Sequence, residues 1–407
     1  MELKDTNVIR FNSLDDAFKN INSKNIDTDW SRKNNKNYSS FHSIASYLAM
    51  FAPALPAYFI KKYSKLNDLV LDPFSGRGTT ALMARELKRK FIGLDLNPYS
   101  YVLTKAKIES YDLGAVIYKI HILQHEYLLH KKQYLNKARR LEFKELTYFY
   151  SLTNLAQLLF LRETLGKNWF NSTNEEIVIL AIALGLMHGP TRNDGSSIYF
   201  SLKMPNTISM SPNYVLNYSK KFNLKKPKTN IFLQIRNRIV HKYDSLLEEE
   251  WQAKMMCYDA LKSKDVLVDN SIDLVVTSPP YLNIVNYTSS NWLKLWLLGY
   301  SRPTLRKDIP LTDNLSFDNY IGFIKTLLLN LKDKLKIGAK VCLIVGDVHG
   351  TKLIEDVWSK IENDVPYKLE NIYYDLNYKQ KNKTTNMLNK KAGKATVIDK
   401  VLVIQKI

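Results

Sequence analysis

A glycine-containing loop between two short apolar segments constrains the fold of this chain most strongly. Leu69 to Leu71 and Phe91 to Leu94 are short enough to be buried strands. Between them, Pro73 to Gly78 is a loop with two glycines, and Thr79 to Leu87 has the apolar spacing of a helix. Two strands that are joined by a helix lie parallel in a sheet. This unit therefore predicts an α/β fold, in which a mostly parallel sheet carries helices on both faces.

The ends of these two strands predict a nucleotide site. Asp95 follows the second strand, where nucleotide-binding units place an acidic residue that holds ribose hydroxyls. The loop has Gly76 and Gly78, but it lacks the third glycine of the dinucleotide fingerprint and the Gly-Lys-Ser/Thr of a phosphate loop. We therefore expect an adenosine-containing ligand without a polyphosphate. An ordinary βαβ turn is the alternative.

A second apolar run ends in two prolines. Ile272 to Val276 fits a buried strand, and Thr277-Ser-Pro-Pro-Tyr281 follows it. The prolines cannot donate to a strand ladder, so the chain leaves the sheet at Ser278, at the edge where α/β sheets bind ligands. A flat heterocycle could stack on Tyr281 while its amino group donates to the Ser278 hydroxyl and a backbone carbonyl. A proline-rich turn with a packed tyrosine explains this stretch equally well when it is taken alone.

Charge and cysteine content bound the partners and the compartment. The 407 residues include 59 Lys plus Arg against 39 Asp plus Glu, and the net charge of +20 favours a polyanionic partner. A lysine-rich proteome would give the same excess without such a partner. Cys257 and Cys342 are too few for a disulfide framework, which favours the reducing cytoplasm. We expect no membrane span and no signal peptide.

Composition divides the chain into three parts. Residues 1–37 are polar and predict an N-terminal arm. Residues 38–110 and 250–407 hold the strand patterns and form the predicted catalytic domain, in which we expect Asp259 to end a short strand. Residues 111–249 predict a largely helical and irregular insertion.

The insertion contains the candidate nucleic-acid contacts. We expect Tyr199 to Asn230 to be one long irregular segment with basic and polar side chains. The candidate DNA-binding residues are Arg192, Lys203, Asn213, Tyr214, Lys220 and Lys221. A solvated lysine-rich connector is the alternative. His121 and His125 lie one helical turn apart, but no third ligand completes a site, so we expect no metal.

In combination, these motifs resemble those of the S-adenosylmethionine-dependent amino-group DNA methyltransferases. Asp72 to Gly78 is similar to their cofactor loop, Asp95 to their ribose-binding acid, and Thr277 to Tyr281 to their catalytic motif. Two motifs in the right order, each at a strand end, are more specific than either motif alone. The resemblance covers the predicted catalytic domain and implies a Rossmann-like methyltransferase sheet.

The resemblance also implies a cofactor site. Tyr258-Asp259-Ala-Leu resembles the acidic turn beside the cofactor adenine, and His42 to Lys62 resembles the segment that cradles its methionine end. The residues assigned to S-adenosylmethionine in this way are Asp72, Phe74, Gly76, Gly78, Thr79, Asp95 and Asp259.

The mechanism that the resemblance implies is direct methyl transfer to a flipped base. The amine of the base attacks the methyl carbon of the sulfonium in line, while Ser278 and the Pro279 carbonyl orient the amine and Tyr281 stacks the base. The implied catalytic residues are Ser278, Pro279, Pro280 and Tyr281. The 5-carbon cytosine methylases instead use a Pro-Cys nucleophile, and neither cysteine of this chain follows a proline.

The resemblance implies a base in double-stranded DNA as the substrate. It also implies a prokaryotic cell, in which a cognate restriction endonuclease would act separately. Serine before Pro-Pro-Tyr resembles the cytosine-N4 branch, and adenine-N6 stays open. An RNA amino-group methyltransferase and a non-catalytic nucleic-acid-binding protein are the remaining alternatives. The insertion falls between Asp95 and Asp259, whereas the family layout places the target-recognition region after the second of these. Its role in target recognition is therefore a hypothesis, and it fails if residues 190–230 lie away from the catalytic face.

Overall fold

The structure is a computed structural model, and it describes most of the chain outside the N-terminal arm. The described residues are 38–48, 50–141, 143–190, 196–280, 287–311, 315–348, 352–376 and 396–407. The predicted arm, Arg192 and Tyr281 lie outside these residues.

A seven-stranded sheet organises the described residues, with the strand order β3-β2-β1-β4-β5-β7-β6. Its strands are β1 (Leu69–Asp72), β2 (Lys90–Leu94), β3 (Ala253–Met256), β4 (Ile272–Thr277), β5 (Leu335–Val348), β6 (Tyr367–Leu376) and β7 (Thr396–Lys406). All of them run parallel except β7, which is antiparallel to both of its neighbours. The predicted α/β fold is confirmed.

Helices cover both faces of this sheet. They are α1 (Ala54–Tyr63), α2 (Thr79–Glu86), α3 (Pro98–Ile108), α4 (Leu113–Leu129), α5 (Lys131–Arg139), α6 (Leu146–Phe149), α7 (Leu152–Thr164), α8 (Asn174–Gly185), α9 (Pro212–Lys221), α10 (Ile231–Lys242), α11 (Tyr287–Ser290), α12 (Trp292–Leu297), α13 (Leu305–Asp308), α14 (Phe317–Leu331) and α15 (Leu353–Ile361). Short 3₁₀ helices span Ser40–Ser43, Gly166–Asn171, Ser245–Glu248 and Ala260–Asp265. None of the helices in the described part of the chain has the length and apolarity that a bilayer crossing requires.

Two buried clusters divide the core between the faces of the sheet. On β4, Val276 belongs to a cluster with the helices that surround β1 and β2, whereas its neighbour Val275 belongs to a cluster with α14 and α15. Successive residues of a strand point to opposite faces, so one short strand supports both layers. The buried side chains of the insertion, such as Leu180 and Phe232, are continuous with the first cluster.

The strand order reverses beside β1, and this reversal positions the site. The chain runs outward from β1 through β2 to β3 and then returns to β4 on the other side of β1. The connections after β1 and β4 therefore diverge to opposite sides and leave a crevice beyond the carboxyl ends of these strands.

The structure differs from two local expectations. The segment from Tyr199 to Asn230 is not irregular throughout, because it contains α9. Ser211 caps this helix by accepting a hydrogen bond from the Tyr214 N–H, and Pro212 occupies its first turn. Asp259 does not end a strand: β3 ends at Met256, and the Asp259 carboxylate accepts the Leu261 N–H to begin a 3₁₀ helix.

Candidate active site

A cleft with about 900 Å³ of empty space, part of it open to solvent, lies at this reversal of strand order. Its walls come from the loops that follow β1, β2, β3 and β4, together with Tyr47, Leu48, Met50 and Phe51 before α1. Of the predicted site residues, Phe74, Gly76, Thr79, Asp95, Asp259, Ser278 and Pro280 line it. Residues from both predicted motifs therefore border one cleft.

The two glycines of the loop have different structural roles. Gly76 has a φ of +52° and donates its N–H to Oδ2 of Asp95 at 2.8 Å, so it aims the loop at the cleft. Gly78 has a φ of +74° and lies against α3, where an added Cβ would be 2.8 Å from Oγ1 and 2.9 Å from Cα of Thr104. The first glycine shapes the site, and the second allows close packing between the loop and a helix.

Asp95 is held in place by backbone donors. Its Oδ2 accepts the Gly76 N–H, and its Oδ1 accepts the Asn97 N–H at 2.9 Å. Burial raises the pKa of this carboxyl to about 6, although the hydrogen bonds from Asn97 and Gly76 oppose the shift. The Ser100 side chain also forms a hydrogen bond with this carboxylate. A carboxylate has about four acceptor positions, so Asp95 keeps acceptor capacity for ribose hydroxyls at the wall of the cleft.

Asp72 lies beneath the loop and is not among the residues that line the cleft. It is 1% exposed, and its Oδ1 accepts the Thr277 hydroxyl at 2.6 Å and the Phe74 N–H at 3.1 Å. Burial raises its pKa to about 6. Asp72 therefore joins the cofactor-loop motif to the end of β4, where the catalytic motif begins.

An apolar slot lies on the side of the cleft near Asp259. The rings of Phe74 and Phe323 are 5.6 Å apart, and Ala260 borders the same space. These surfaces suit a flat heterocycle. Sequence reasoning missed Phe323, because α14 has the pattern of any amphipathic core helix and nothing in it indicates a ligand contact.

The segment before α1 closes the other side of the cleft, where we expected the methionine end of the cofactor. Tyr47 lines this wall. Its hydroxyl lies 2.7 Å from Oγ of Ser100 and accepts a hydrogen bond from Nδ2 of Asn97 at 3.1 Å. Its ring stacks on Tyr287 with a centroid distance of 6.0 Å. Tyr47 thus connects the environment of Asp95 to the helix that follows the catalytic motif, a connection that the sequence did not indicate.

The charged side chains of the cleft favour one kind of ligand over another. Among the described lining residues, Asp95 and Asp259 are acidic and Arg77 is basic. Arg77 donates through Nε to Thr79 and through a terminal nitrogen to the Phe51 carbonyl. A wall with more acidic than basic groups opposes a polyphosphate and fits an adenosine ligand that carries positive charge. S-adenosylmethionine, with a sulfonium and an ammonium group, meets this condition.

Ser278 stands at the carboxyl end of β4 and faces the cleft. Its hydroxyl donates to the Ile344 carbonyl of the neighbouring strand β5 at 3.0 Å. Because the proton is directed at β5, the oxygen can act as an acceptor toward an approaching amine. Pro279 is buried, and Pro280 also lines the cleft.

The predicted DNA contacts that the structure describes lie on and before α9. Lys203 is exposed ahead of the helix, Asn213 is exposed in its first turn, and Lys220 and Lys221 are exposed in its last turn. Tyr214 is half-buried and stacks on Tyr218 with a centroid distance of 5.7 Å.

Comparison with known proteins adds family matches. Residues 2–106 match a family described as DNA methylase, and residues 57–176 match the D12 class of N6 adenine-specific DNA methyltransferases. Type II methyltransferase M.BsoBI of Geobacillus stearothermophilus is 27% identical in a 293-residue alignment that covers 67% of this chain and 55% of that protein. Type II methyltransferase M.MjaII of Methanocaldococcus jannaschii is 35% identical over 72 residues, 18% of this chain and 14% of that one.

The coverage of these matches is partial. The chain spans about half the length of M.BsoBI. Among solved structures, TrmN from Thermus thermophilus aligns with a TM-score of 0.34 at 10% identity, over 90% of this chain and 52% of that chain, an overlap too loose to carry an argument. Both family matches include the glycine loop and Asp95.

Proposed function

We propose that this relative of the amino-group DNA methyltransferases transfers a methyl group from S-adenosylmethionine to the exocyclic amine of a base in double-stranded DNA. One observation carries the proposal. Asp95 and Ser278, which belong to motifs far apart in the sequence, border the same cleft, and the hydrogen bond from Thr277 to Asp72 joins the two motifs at its base.

Different residues of the cleft would hold different parts of the cofactor. S-adenosylmethionine, when bound, supplies a methyl group that is electrophilic because it sits on a positively charged sulfur. Asp95 would accept the ribose hydroxyls, and the apolar surface that the packed rings of Phe74 and Phe323 form with Ala260 would hold the adenine near Asp259. Arg77, the basic side chain among the described lining residues, would pair with the carboxylate of the methionine end.

Ser278 would orient the amine of the substrate base. Its hydroxyl is directed at the Ile344 carbonyl, so it presents an acceptor to one N–H of the amine. The Pro279 carbonyl is the proposed acceptor for the second N–H. An amine whose two hydrogens are both held directs its lone pair along one line, and this orientation lowers the barrier to methyl transfer.

For the target base we propose N4 of cytosine, because serine precedes Pro-Pro-Tyr in the catalytic motif. The match of residues 57–176 to an N6 adenine-specific class favours N6 of adenine as a second candidate. We also propose that the enzyme belongs to a restriction–modification system with a separate endonuclease. That endonuclease would cut at the motif that this enzyme methylates and would spare methylated DNA.

Single-base methylation mapping of DNA from cells that express the protein tests this function. We expect N4-methylcytosine in one short motif for the wild type and for Tyr118→Ala, since Tyr118 is 68% exposed and distant in sequence from both motifs. We expect no mark for Tyr281→Ala or Ser278→Ala. N6-methyladenine would establish the second candidate, and the absence of any DNA mark from protein that binds S-adenosylhomocysteine would refute the DNA substrate.

A further inference from the structure

The positive charge of the chain is concentrated in one part of the insertion. From Ser196 to Tyr243 the sequence contains no Asp or Glu, and all of its charged residues are basic. They are Lys203, Lys220, Lys221, Lys225, Lys226, Lys228, Arg236, Arg238 and Lys242, nine residues in a chain of net charge +20. A lysine-rich composition alone would spread the excess evenly, so this segment fits a local polyanionic partner.

Helix α9 presents one polar face from this segment. Asn213, Asn217, Lys220 and Lys221 are exposed, and their spacing of four, seven and eight residues places them on one side of the helix. Pro212 and Val215 are buried on the opposite side. The exposed face therefore begins with two amides one turn apart and ends with two cations.

The start of α9 is fixed beside the cleft. The Ser209 N–H donates to the Ser290 carbonyl at 2.8 Å, and Nε1 of Trp292 donates to the Met210 carbonyl at 3.1 Å. Ser290 ends α11, the helix that begins with the cleft residue Tyr287. Ser211, the next residue after Met210, caps α9. The polar face therefore starts near the rim of the cleft and extends about 15 Å along the ten-residue helix.

We propose that α9 enters the major groove of duplex DNA beside the target base, with Asn213 and Asn217 at base edges and Lys220 and Lys221 at phosphates. The inference rests on the proposed function and names the surface that holds its substrate. A helix about 10–12 Å across fits a major groove about 12 Å wide. Asparagine amides pair with adenine edges in that groove, and lysines contact the backbone.

Another basic helix supplies the matched control. Helix α5 begins with Lys131 and Lys132, which are exposed, as is the lysine pair of α9. It packs on α7, and its Lys137 forms an ion pair with Glu163 at 2.6 Å. Among the described residues, none of the hydrogen bonds found for α5 reaches α11 or the cleft. Neutralising either lysine pair changes the net charge by the same amount. A difference in DNA binding between the two variants therefore reflects where the lysines lie on the protein.

The test measures affinity for a fluorescent 30-base-pair duplex, with S-adenosylhomocysteine present, over a range of salt concentrations. Each lost phosphate contact lowers the slope of log affinity against log salt by about 0.9. We expect Lys220→Gln/Lys221→Gln to lower that slope by about 1.8 and Lys131→Gln/Lys132→Gln to leave it unchanged. Equal effects from the two pairs, or no effect from the α9 pair, would overturn the proposal.

The amides are tested by their effect on sequence choice. We expect Asn213→Ala and Asn217→Ala to relax the methylated motif at one position each and to keep the salt slope and the affinity for S-adenosylhomocysteine. An unchanged motif in both variants would refute the groove contact. If the wild type methylates DNA and the α9 variants have the same salt slope and the same methylated motif, α9 is not the DNA-binding surface, but the proposed function still holds. If Lys220→Gln/Lys221→Gln weakens the binding of transfer RNA and not that of duplex DNA, the partner assigned to this surface is wrong.

Discussion

Replacing each glycine of the cofactor loop by alanine separates packing from ligand binding. At Gly78, alanine has to adopt a φ of +74°, which costs about 1–2 kcal/mol in the left-handed region. Its Cβ would also lie 2.9 Å from Cα of Thr104, a backbone atom that no side-chain rotation can move away. Overpacking of this kind costs about 1–3 kcal/mol. We expect Gly78→Ala to lower the free energy of unfolding by about 2–5 kcal/mol.

At Gly76 the same substitution brings the added Cβ into no overly close contact. The added Cβ would lie 3.6 Å from the Tyr47 ring, an ordinary contact, so the cost is the left-handed φ of about 1–2 kcal/mol. The Gly76 N–H donates to Asp95, however, and relaxation of the strained φ would shift that donor. We therefore expect Gly76→Ala to lose more cofactor affinity than stability.

Equilibrium urea unfolding and calorimetric titration with S-adenosylhomocysteine distinguish the two variants. We expect a large loss of stability for Gly78→Ala and a small one for Gly76→Ala. We expect the affinity of the folded protein for S-adenosylhomocysteine to fall chiefly in Gly76→Ala. Thr104→Ala should rescue Gly78→Ala only in part, because the contact with Cα remains. Equal losses of stability in the two variants, or full rescue by Thr104→Ala, would show that the packing explanation is wrong.

Three further predictions follow from the same site. Tyr47→Phe removes the hydroxyl bonded to Ser100 and keeps the ring on Tyr287, so in calorimetry it should weaken S-adenosylhomocysteine binding less than Tyr47→Leu does. Asp95 has a pKa of about 6, so it is protonated at lower pH and then loses acceptor capacity. The affinity for S-adenosylhomocysteine should therefore fall by up to about tenfold per pH unit below 6. Asp95→Asn should remove most of this pH dependence. Thr277→Val removes one of the hydroxyl donors to the buried Asp72, the one at 2.6 Å, and should lower the free energy of unfolding, measured in urea, by about 1–3 kcal/mol.

The parts of the fold that depend on local sequence were predictable. The strand and helix around Gly76 and Gly78 lie within a residue or two of their expected positions, because the apolar runs and glycines act over short distances. The resemblance to the amino-group DNA methyltransferases, and S-adenosylmethionine as the cofactor of that family, are confirmed by the family matches. The predicted roles of individual residues remain predictions.

The contacts that depend on tertiary structure were not predictable. Tyr47 meets Asn97 and Ser100 across about 50 residues of sequence, and Phe323 meets Phe74 across a much longer separation. No spacing rule connects residues on different elements. Helix α9 was missed for a different reason: its capping serine and first-turn proline are also turn signals, so the pattern alone does not choose between helix and loop.

The position of the insertion explains how a region between β2 and β3 can serve a site at β4. In sequence the insertion is far from the catalytic motif, and the family layout would place a recognition region later in the chain. In the fold it crosses to α11 and α12, which follow that motif: Nε of Arg162 donates to the Trp296 carbonyl at 2.8 Å, and the Ser209 N–H donates to Ser290. Ser209, in the 190–230 segment, therefore contacts the helix that follows the catalytic motif, and the role of the insertion in target recognition stays a hypothesis. A recognition region need only reach the flipped base, and helices packed on a shared core can reach it from either connection.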